Sequence, residues 1–307
     1  MASKTLLYIS PMPQASNPAI DSIAYGIQAG CHESSMELRI VFDDAGRISP
    51  RESLPTYVNA AIAARVAAII FYVVDPEAGR MEVQEARRAG IAVFSIARPT
   101  YPVNASLSYP GFNQGVFMMD YLTSLLAPGS GVGVIGGPRA LTDAEEIAGL
   151  VFSLRRSHCA LVNDPTLAEY SNLTDNMSGA RAPIELLLRK YPQVKGLAPY
   201  NDETMLGVID YLDEIGRAGE LKIVSRNGTP AAVKAVREGR TTGTWDLDPP
   251  AVGMSVAKLA TDHLRGTVLY DDYAAMSPAG RMITAANLQS WQPWEQRVRM
   301  TPFSVGL

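Results

Sequence analysis

Between Gly196 and Gly253 three short apolar strands each end in polar residues, at Asn201-Asp202, at Asn227-Gly228 and at Asp246 to Asp248, and a helical pattern follows each of them. In an open parallel sheet the carboxyl ends of the strands share one edge, so these carboxylates and amides gather around a single crevice. Such groups suit hydroxyls: an amide both donates and accepts a hydrogen bond, and a carboxylate accepts several. Nothing in the segment reads as a nucleophile. Neither a Ser-His-Asp pattern nor a pair of carboxylates set for acid–base work is evident in the chain, so the reading is a binding site and not an enzyme.

Other residues join this set on their own chemistry. Arg98 follows an apolar strand and precedes Pro99, where a guanidinium fork donates to hydroxyls or to a carboxylate; the plainer alternative is a surface arginine lying over the sheet edge. Asn201 serves as a ligand contact or as the cap of the helix behind it, and Asp202 reads as a cap or cleft-lining residue. Asn227 is a cleft contact or a simple turn residue. Trp245, Tyr170 and Tyr72 either stack on the apolar face of a ring or serve as core and rim aromatics. Glu146 brings a charge to a region that already holds Asp246 and Asp248, a field that favours a neutral polyol or a cation over an anion; alternatively it only favours the positive end of its helix.

Several chemistries drop out. Gly131 to Gly137 formally contains GxGxxG. A dinucleotide site needs its strand before the first glycine and a helix opening at the third, whereas here the glycines lie inside the strand, so no nucleotide cofactor is expected. Cys31 and Cys159 are far apart, with no CxxC or Cys/His spacing, and His32, His158 and His263 show no HExxH pattern. No metal site is expected. The net charge of −4 speaks against nucleic acid, which needs a clustered positive face. No run of 18 or more apolar residues exists, so no membrane insertion is expected. The chain opens on its first strand without a charged segment followed by an apolar one, so the expectation is either a cytoplasmic protein or one whose export signal was removed.

These residues need a scaffold, and the pattern supplies one. A chain of 307 residues, 47% hydrophobic and 19% charged, suits two globular domains. Strand and helix patterns alternate: strands at 5–10, 37–42, 67–74 and 92–96, helices at 18–31, 54–64 and 77–89. After SLSYPGF the alternation restarts. Helices are expected at 115–126, 145–157, 176–190, 203–215 and 230–238, and strands at 131–135, 166–169, 196–199, 222–225 and 242–245. Near-continuous apolar strands between amphipathic helices indicate parallel sheets covered on both faces. The expected fold is therefore α/β, two doubly wound Rossmann-like lobes with a ligand cleft between them. A late helix at 251–265 follows Pro249-Pro250, a stiff pair suited to a crossing between lobes. With further crossings at 109–112 and 277–281, the joint becomes a three-segment hinge. The lobes are expected at 1–110 plus 249–279 and at 111–248 plus 280–307.

The order of elements, the SNP before the first helix, the YND-ET-LGV segment, the NGTPAAVKAVREG segment and the late crossover helix resemble the type I periplasmic binding proteins, in particular the ribose-binding-like branch serving sugar ABC transporters. The resemblance spans about residues 5 to 288. It implies a small solute, a sugar or sugar alcohol, held between two lobes that close on it, and a membrane ABC transporter permease as the partner. A periplasmic or extracytoplasmic location follows, with an export signal already removed, as does a monomer. The contacts it implies are Ser10, Asn17 and Arg98 in the first lobe, and Glu146, Tyr170, Asn201, Asn227 and the Asp246 region in the second. Four positions depart from the family's pattern. Ala97-Arg98 stands where Asp-Arg is usual, Pro110-Gly111 where Asp-Asn is usual, Glu146 in place of an arginine, and Asn227 in place of an aspartate. These departures point away from plain ribose. A cytoplasmic effector-binding domain of a sugar-responsive regulator, or a receptor for a non-sugar polar solute, shares the same architecture.

Overall fold

Thr5–Ser10 (β1) is an apolar strand whose last residue opens a short loop to Asn17. Asn17 then caps Pro18–Glu33 (α1), accepting from the backbone amides of Ala19 and Ile20. The proline at the first helical turn has no amide hydrogen to leave unpaired, so cap and proline together fix where this helix starts. The computed structural model describes residues 5–43, 53–138, 140–278 and 280–306. The chain continues through Glu37–Phe42 (β2), Leu54–Ala64 (α2), Ala68–Tyr72 (β3), Arg80–Arg88 (α3), Ala92–Ile96 (β4) and Ala105–Ser108 (β5). Gly111–Ser124 (α4), Gly131–Ile135 (β6), Leu141–Arg156 (α5), Ala160–Leu161 (β7), Arg181–Lys190 (α6), Gly196–Pro199 (β8) and Asp202–Glu214 (α7) come next. Lys222–Asn227 (β9), Pro230–Arg237 (α8), Gly243–Asp246 (β10), Pro249–Leu264 (α9), Tyr273–Met276 (β11), Arg281–Thr284 (β12) and Trp294–Arg297 (α10) complete it.

Two six-stranded sheets result, ordered β11-β5-β4-β3-β1-β2 and β12-β10-β9-β8-β6-β7. All neighbours in the first are parallel. In the second only β12 runs antiparallel, to β10. In each sheet the order reverses beside the first strand, between β1 and β3 or between β6 and β8, and open α/β sheets bind ligands outside the carboxyl ends of such strands. Helices cover both faces. In the first sheet α1 and α9 lie on one side and α2 and α3 on the other; in the second α4 and α5 lie opposite α6, α7 and α8.

Each sheet has one helix pair that meets through glycines. Where α1 meets α9, a Cβ on Gly26 would stand 2.1 Å from the Pro250 carbonyl oxygen, and one on Gly253 would stand 2.1 Å from that of Ile23. Where α4 meets α5, the same test puts Gly115 at 2.2 Å from the Glu146 carbonyl oxygen and Gly149 at 2.0 Å from that of Phe112. Real Cβ atoms do not approach backbone this closely, so only glycine permits either contact.

The chain divides into two compact units, Met1–Tyr109 with Pro249–Pro278 and Trp294–Leu307, and Pro110–Asp248 with Ala279–Pro293. Chain passages between units fall at Tyr109, Asp248 and Pro278, near the three expected from the sequence, and a fourth at Pro293 returns the tail to the first unit. The expected assignment of 280–307 to the second lobe is thereby corrected for 294–307. The reason is local. Phe303 stacks on Tyr25 with ring centroids 4.3 Å apart, and residues 304–306 add a bridge to Ile40 of β2.

Other differences are small. The strand expected at 166–169 is a turn ending in 3-10 helix at Ala168–Tyr170, while the short strand in that region is β7. The helix expected from 176 is a 3-10 turn, Met177–Ala180, before α6. α4 and α5 begin about four residues earlier than expected, which brings Thr142 and Asp143 into the first turn of α5. β5, β11 and β12 were not anticipated.

Candidate functional site

The richest polar region lies at the carboxyl ends of β8, β9 and β10 in the second unit. Arg226, the penultimate residue of β9, is buried and meets α5. Its Nη2 donates to Asp143 Oδ1 at 2.9 Å, its Nη1 to the Thr142 carbonyl oxygen at 3.4 Å, and its Nε lies 2.8 Å from Glu146 Oε2. Asp143 and Glu146, three apart on a helix, share one face, which is why a single guanidinium reaches both. Burial pushes the Glu146 carboxyl up to about 8; Arg226 opposes the shift and Asp143 reinforces it. Two buried carboxylates against one guanidinium leave a surplus negative charge, and retaining a proton is the cheapest way to remove it.

A second group surrounds Asn201, which caps α7 by accepting from the Thr204 amide at 3.0 Å and donates to Asp175 Oδ1 at 2.5 Å. The Tyr200 hydroxyl donates to that same Asp175 oxygen. Asp175 is held with φ 53, a left-handed conformation that aspartate tolerates better than most residues. Asp202, next along, is structural: it accepts from the hydroxyls of Ser225 and Thr244 and from the Thr229 amide, tying α7 to β9 and β10. Burial raises its carboxyl to about 6 against those donors.

Asn227 ends β9 with φ 130, a strained backbone for a non-glycine residue. Its Nδ2 donates to Glu203 Oε2 at 3.1 Å. Burial, then the nearby Asp202 and Asp175 charges, push Glu203 up to about 8. Asp246, at the end of β10, accepts from the Asp248 amide at 2.9 Å. Asp143, Glu146, Asp175, Asp202, Glu203 and Asp246 are all buried at this edge, and Arg226 is the one buried guanidinium among the described residues.

Glu146, Asn201, Asn227 and Asp246 are therefore brought to one sheet edge, and the two expected aromatics of this unit make packing contacts beside it. Trp245 alternates with Asp246 along β10 and stacks on Phe117 of α4, centroids 6.0 Å apart and nearly parallel. Tyr170 is buried in the hydrophobic cluster with Ile135, Ile184 and Leu187, and the Lys190 ammonium lies 5.4 Å from its ring centre.

In the first unit Ser10 and Tyr72 end β1 and β3, flanking the point where strand order reverses. Ser10 is buried and donates to the Met12 carbonyl at 3.2 Å, closing the turn after β1. Asn17 spends its carbonyl oxygen on capping α1. Arg98 departs most from expectation. It follows Ala97, at φ 64, and its Nη2 donates to both Asp272 oxygens at 3.1 Å. Asp272 immediately precedes β11, so the guanidinium is drawn toward the amino end of that strand.

Arg226 is the residue that sequence reasoning missed. Its signal was present: an arginine near the end of the otherwise apolar KIVS strand must be exposed or paired. Among the described residues, no group of three or more His, Cys, Asp or Glu is arranged to hold a metal, and no helix is long and apolar enough to cross a membrane.

Two doubly wound α/β units are the architecture of the type I periplasmic binding proteins, and comparison with known proteins agrees. Residues 11–267 match the model of the periplasmic binding protein domain, and the chain belongs to that family. Over 198 residues, 62% of this chain and 60% of the other, it is 26% identical to a D-ribose/D-allose-binding protein of Pseudomonas aeruginosa, so the match spans under two thirds of that relative. In fold it is similar to a periplasmic solute-binding protein of Actinobacillus succinogenes with bound D-allose, at TM-score 0.82 and 17% identity, covering 94% of this chain and 99% of that one. A Caulobacter myo-inositol-binding protein superposes at TM-score 0.80 and 15% identity, covering 94% and 96%.

Proposed function

We propose that this protein is the solute receptor of an ABC-type importer and that its solute is a small neutral polyol, a sugar or sugar alcohol. The observation that carries this reading is the edge formed by β8, β9 and β10, where Asn201, Asn227 and Asp246 stand in a buried setting with surplus carboxylate oxygens. Hydroxyls donate to such oxygens, whereas an anion meets repulsion. Relatives named for D-ribose, D-allose and myo-inositol, all neutral and hydroxyl-rich, support the same class. Arg226 positions α5 against the strand ends and takes up part of the negative charge. The receptor works by closing its two units around the solute, a motion driven only by contacts better made in the closed form. With about eight hydrogen bonds at about 1 kcal/mol net each, the dissociation constant falls near the micromolar range.

The test is calorimetry with neutral sugars, polyols, sugar acids and polyamines. A neutral polyol is expected to bind near micromolar, and Asn201→Ala or Asp246→Asn to weaken it about tenfold or more. Tight binding of a sugar acid in preference to every neutral compound would overturn the solute class. Unchanged affinity in both variants would overturn the site.

A further inference from the structure

At the amino ends of β4 and β5, the far end of the first sheet from its strand carboxyl ends, lies a recess of about 520 Å³ whose polar lining is Gln84, Arg87, Arg88, Asn104 and His263. No carboxylate lines it. The hydrogen-bond pattern around His263 fixes its proton. His263 Nδ1 accepts from the Tyr270 backbone amide at 3.0 Å, so the ring hydrogen sits on Nε2. Nε2 faces Asn104 Nδ2 at 3.5 Å. That amide is oriented by its own partners: its Oδ1 accepts from the Val93 amide at 2.8 Å, and its Nδ2 donates to the Tyr270 carbonyl at 3.3 Å. Flipping it would set oxygen against oxygen and hydrogen against hydrogen. The His263–Asn104 contact is therefore donor against donor, and in this half-buried position the Nε2 hydrogen is left to water or to an acceptor that enters the recess.

Protonating the ring does not relieve this, because the second proton would have to sit on Nδ1 against the Tyr270 amide. Burial and the neighbouring Arg87 also hold the imidazole below its ordinary pKa. Two guanidiniums stand beside this donor. Arg87 pairs with Asp271 at 2.6 Å, and that carboxylate is 86% exposed, so water screens the pair. Arg88 is exposed at the rim.

We infer that this recess binds a small oxyanion, a phosphate or carboxylate head, with one oxygen accepting from His263 Nε2 and others facing Arg88, Arg87 and the Gln84 amide. The volume lies within the range of small-molecule sites, about 300–1,000 Å³. A charge-assisted contact of this kind is among the stronger hydrogen bonds available to a protein.

Long-range proton–nitrogen NMR on the full-length protein tests both parts. The free protein is expected to show His263 as the Nε2–H tautomer. Inorganic phosphate or acetate, titrated at constant ionic strength, is expected to shift Nε2 saturably, with chloride as control. Saturation by phosphate alone or by acetate alone identifies which head the recess takes. Arg88→Gln should weaken that binding about tenfold or more while leaving the Tyr270–His263 contact unchanged. An Nδ1–H tautomer, a drift matched by chloride, or unchanged affinity in Arg88→Gln would each overturn the inference.

Discussion

The two sheets share a strand order and a glycine-mediated helix pair, yet their carboxyl edges are built differently. In the first unit the three polar residues expected there are engaged locally or drawn away: Ser10 closes a turn, Asn17 caps a helix and Arg98 is drawn off to Asp272. In the second unit the same edge carries six buried carboxylates, two asparagines and Arg226, bonded chiefly to one another. A repeated architecture thus fixes where a site can lie, while the chemistry rests on a few strand-end residues that the architecture does not dictate.

The sharpest test of this contrast is Arg226→Met, which leaves Asp143 and Glu146 buried without their cation. A loss of about 3–5 kcal/mol is expected in denaturant unfolding at pH 8, and a smaller loss at pH 5, where Glu146 holds its proton. Equal losses at both pH values would mean that charge is not what Arg226 answers. Next come the shared features. Gly26→Ala and Gly149→Ala each force a methyl into backbone, and each should cost about 1–3 kcal/mol; a silent variant in one unit would break the parallel between them.

The pH dependence of the acidic edge follows from its raised carboxyls. Glu203 titrates near 8 when folded against 4.5 as a free group, so between those values the folded chain holds more protons than the unfolded one. Its contribution is full below about pH 4.5 and declines as pH rises through 8. Glu203→Gln should therefore gain in melting temperature relative to the parent as pH is raised from 5 to 8.5, and a constant difference would count against the raised value. The smallest effect is expected for Arg98→Ala. An ion pair this exposed is worth less than about 1 kcal/mol, and solute affinity should change less than about twofold. A tenfold loss of affinity would return Arg98 to the site and narrow the contrast between the units.

Much of the scaffold was legible because its strands are nearly all apolar and its helices amphipathic, as in AIIFY of β3 or the helix after Thr229-Pro230. β5 (ASLS) escaped because it offers a single large apolar residue, and β11 (YAAM) because its side chains are mostly exposed. The stretch at 166–169 misled because its one large residue, Leu167, is exposed while Tyr170 behind it is buried. At the site, Asn201 could be read from position alone, since the end of a parallel strand is also the start of a helix. Arg226 could not be placed. Its partners Asp143 and Glu146 lie far away in sequence, and only the folded unit brings the first turns of α5 within reach of the Arg226 side chain. Arg98 misled for the converse reason, as Asp272 arrives from a distant loop.

The tail on β2 has a consequence for solution behaviour. β2 is the last strand of the first sheet, and Ile40 bonds both to the Ser304 carbonyl, at 3.0 Å, and to the Gly306 amide, at 2.9 Å. Without that strap an outermost strand would offer free backbone groups to any neighbouring chain, the usual start of sheet-to-sheet clumping. Residues from the far end of the sequence thus act as a selvedge along this stretch of the outer edge of β2.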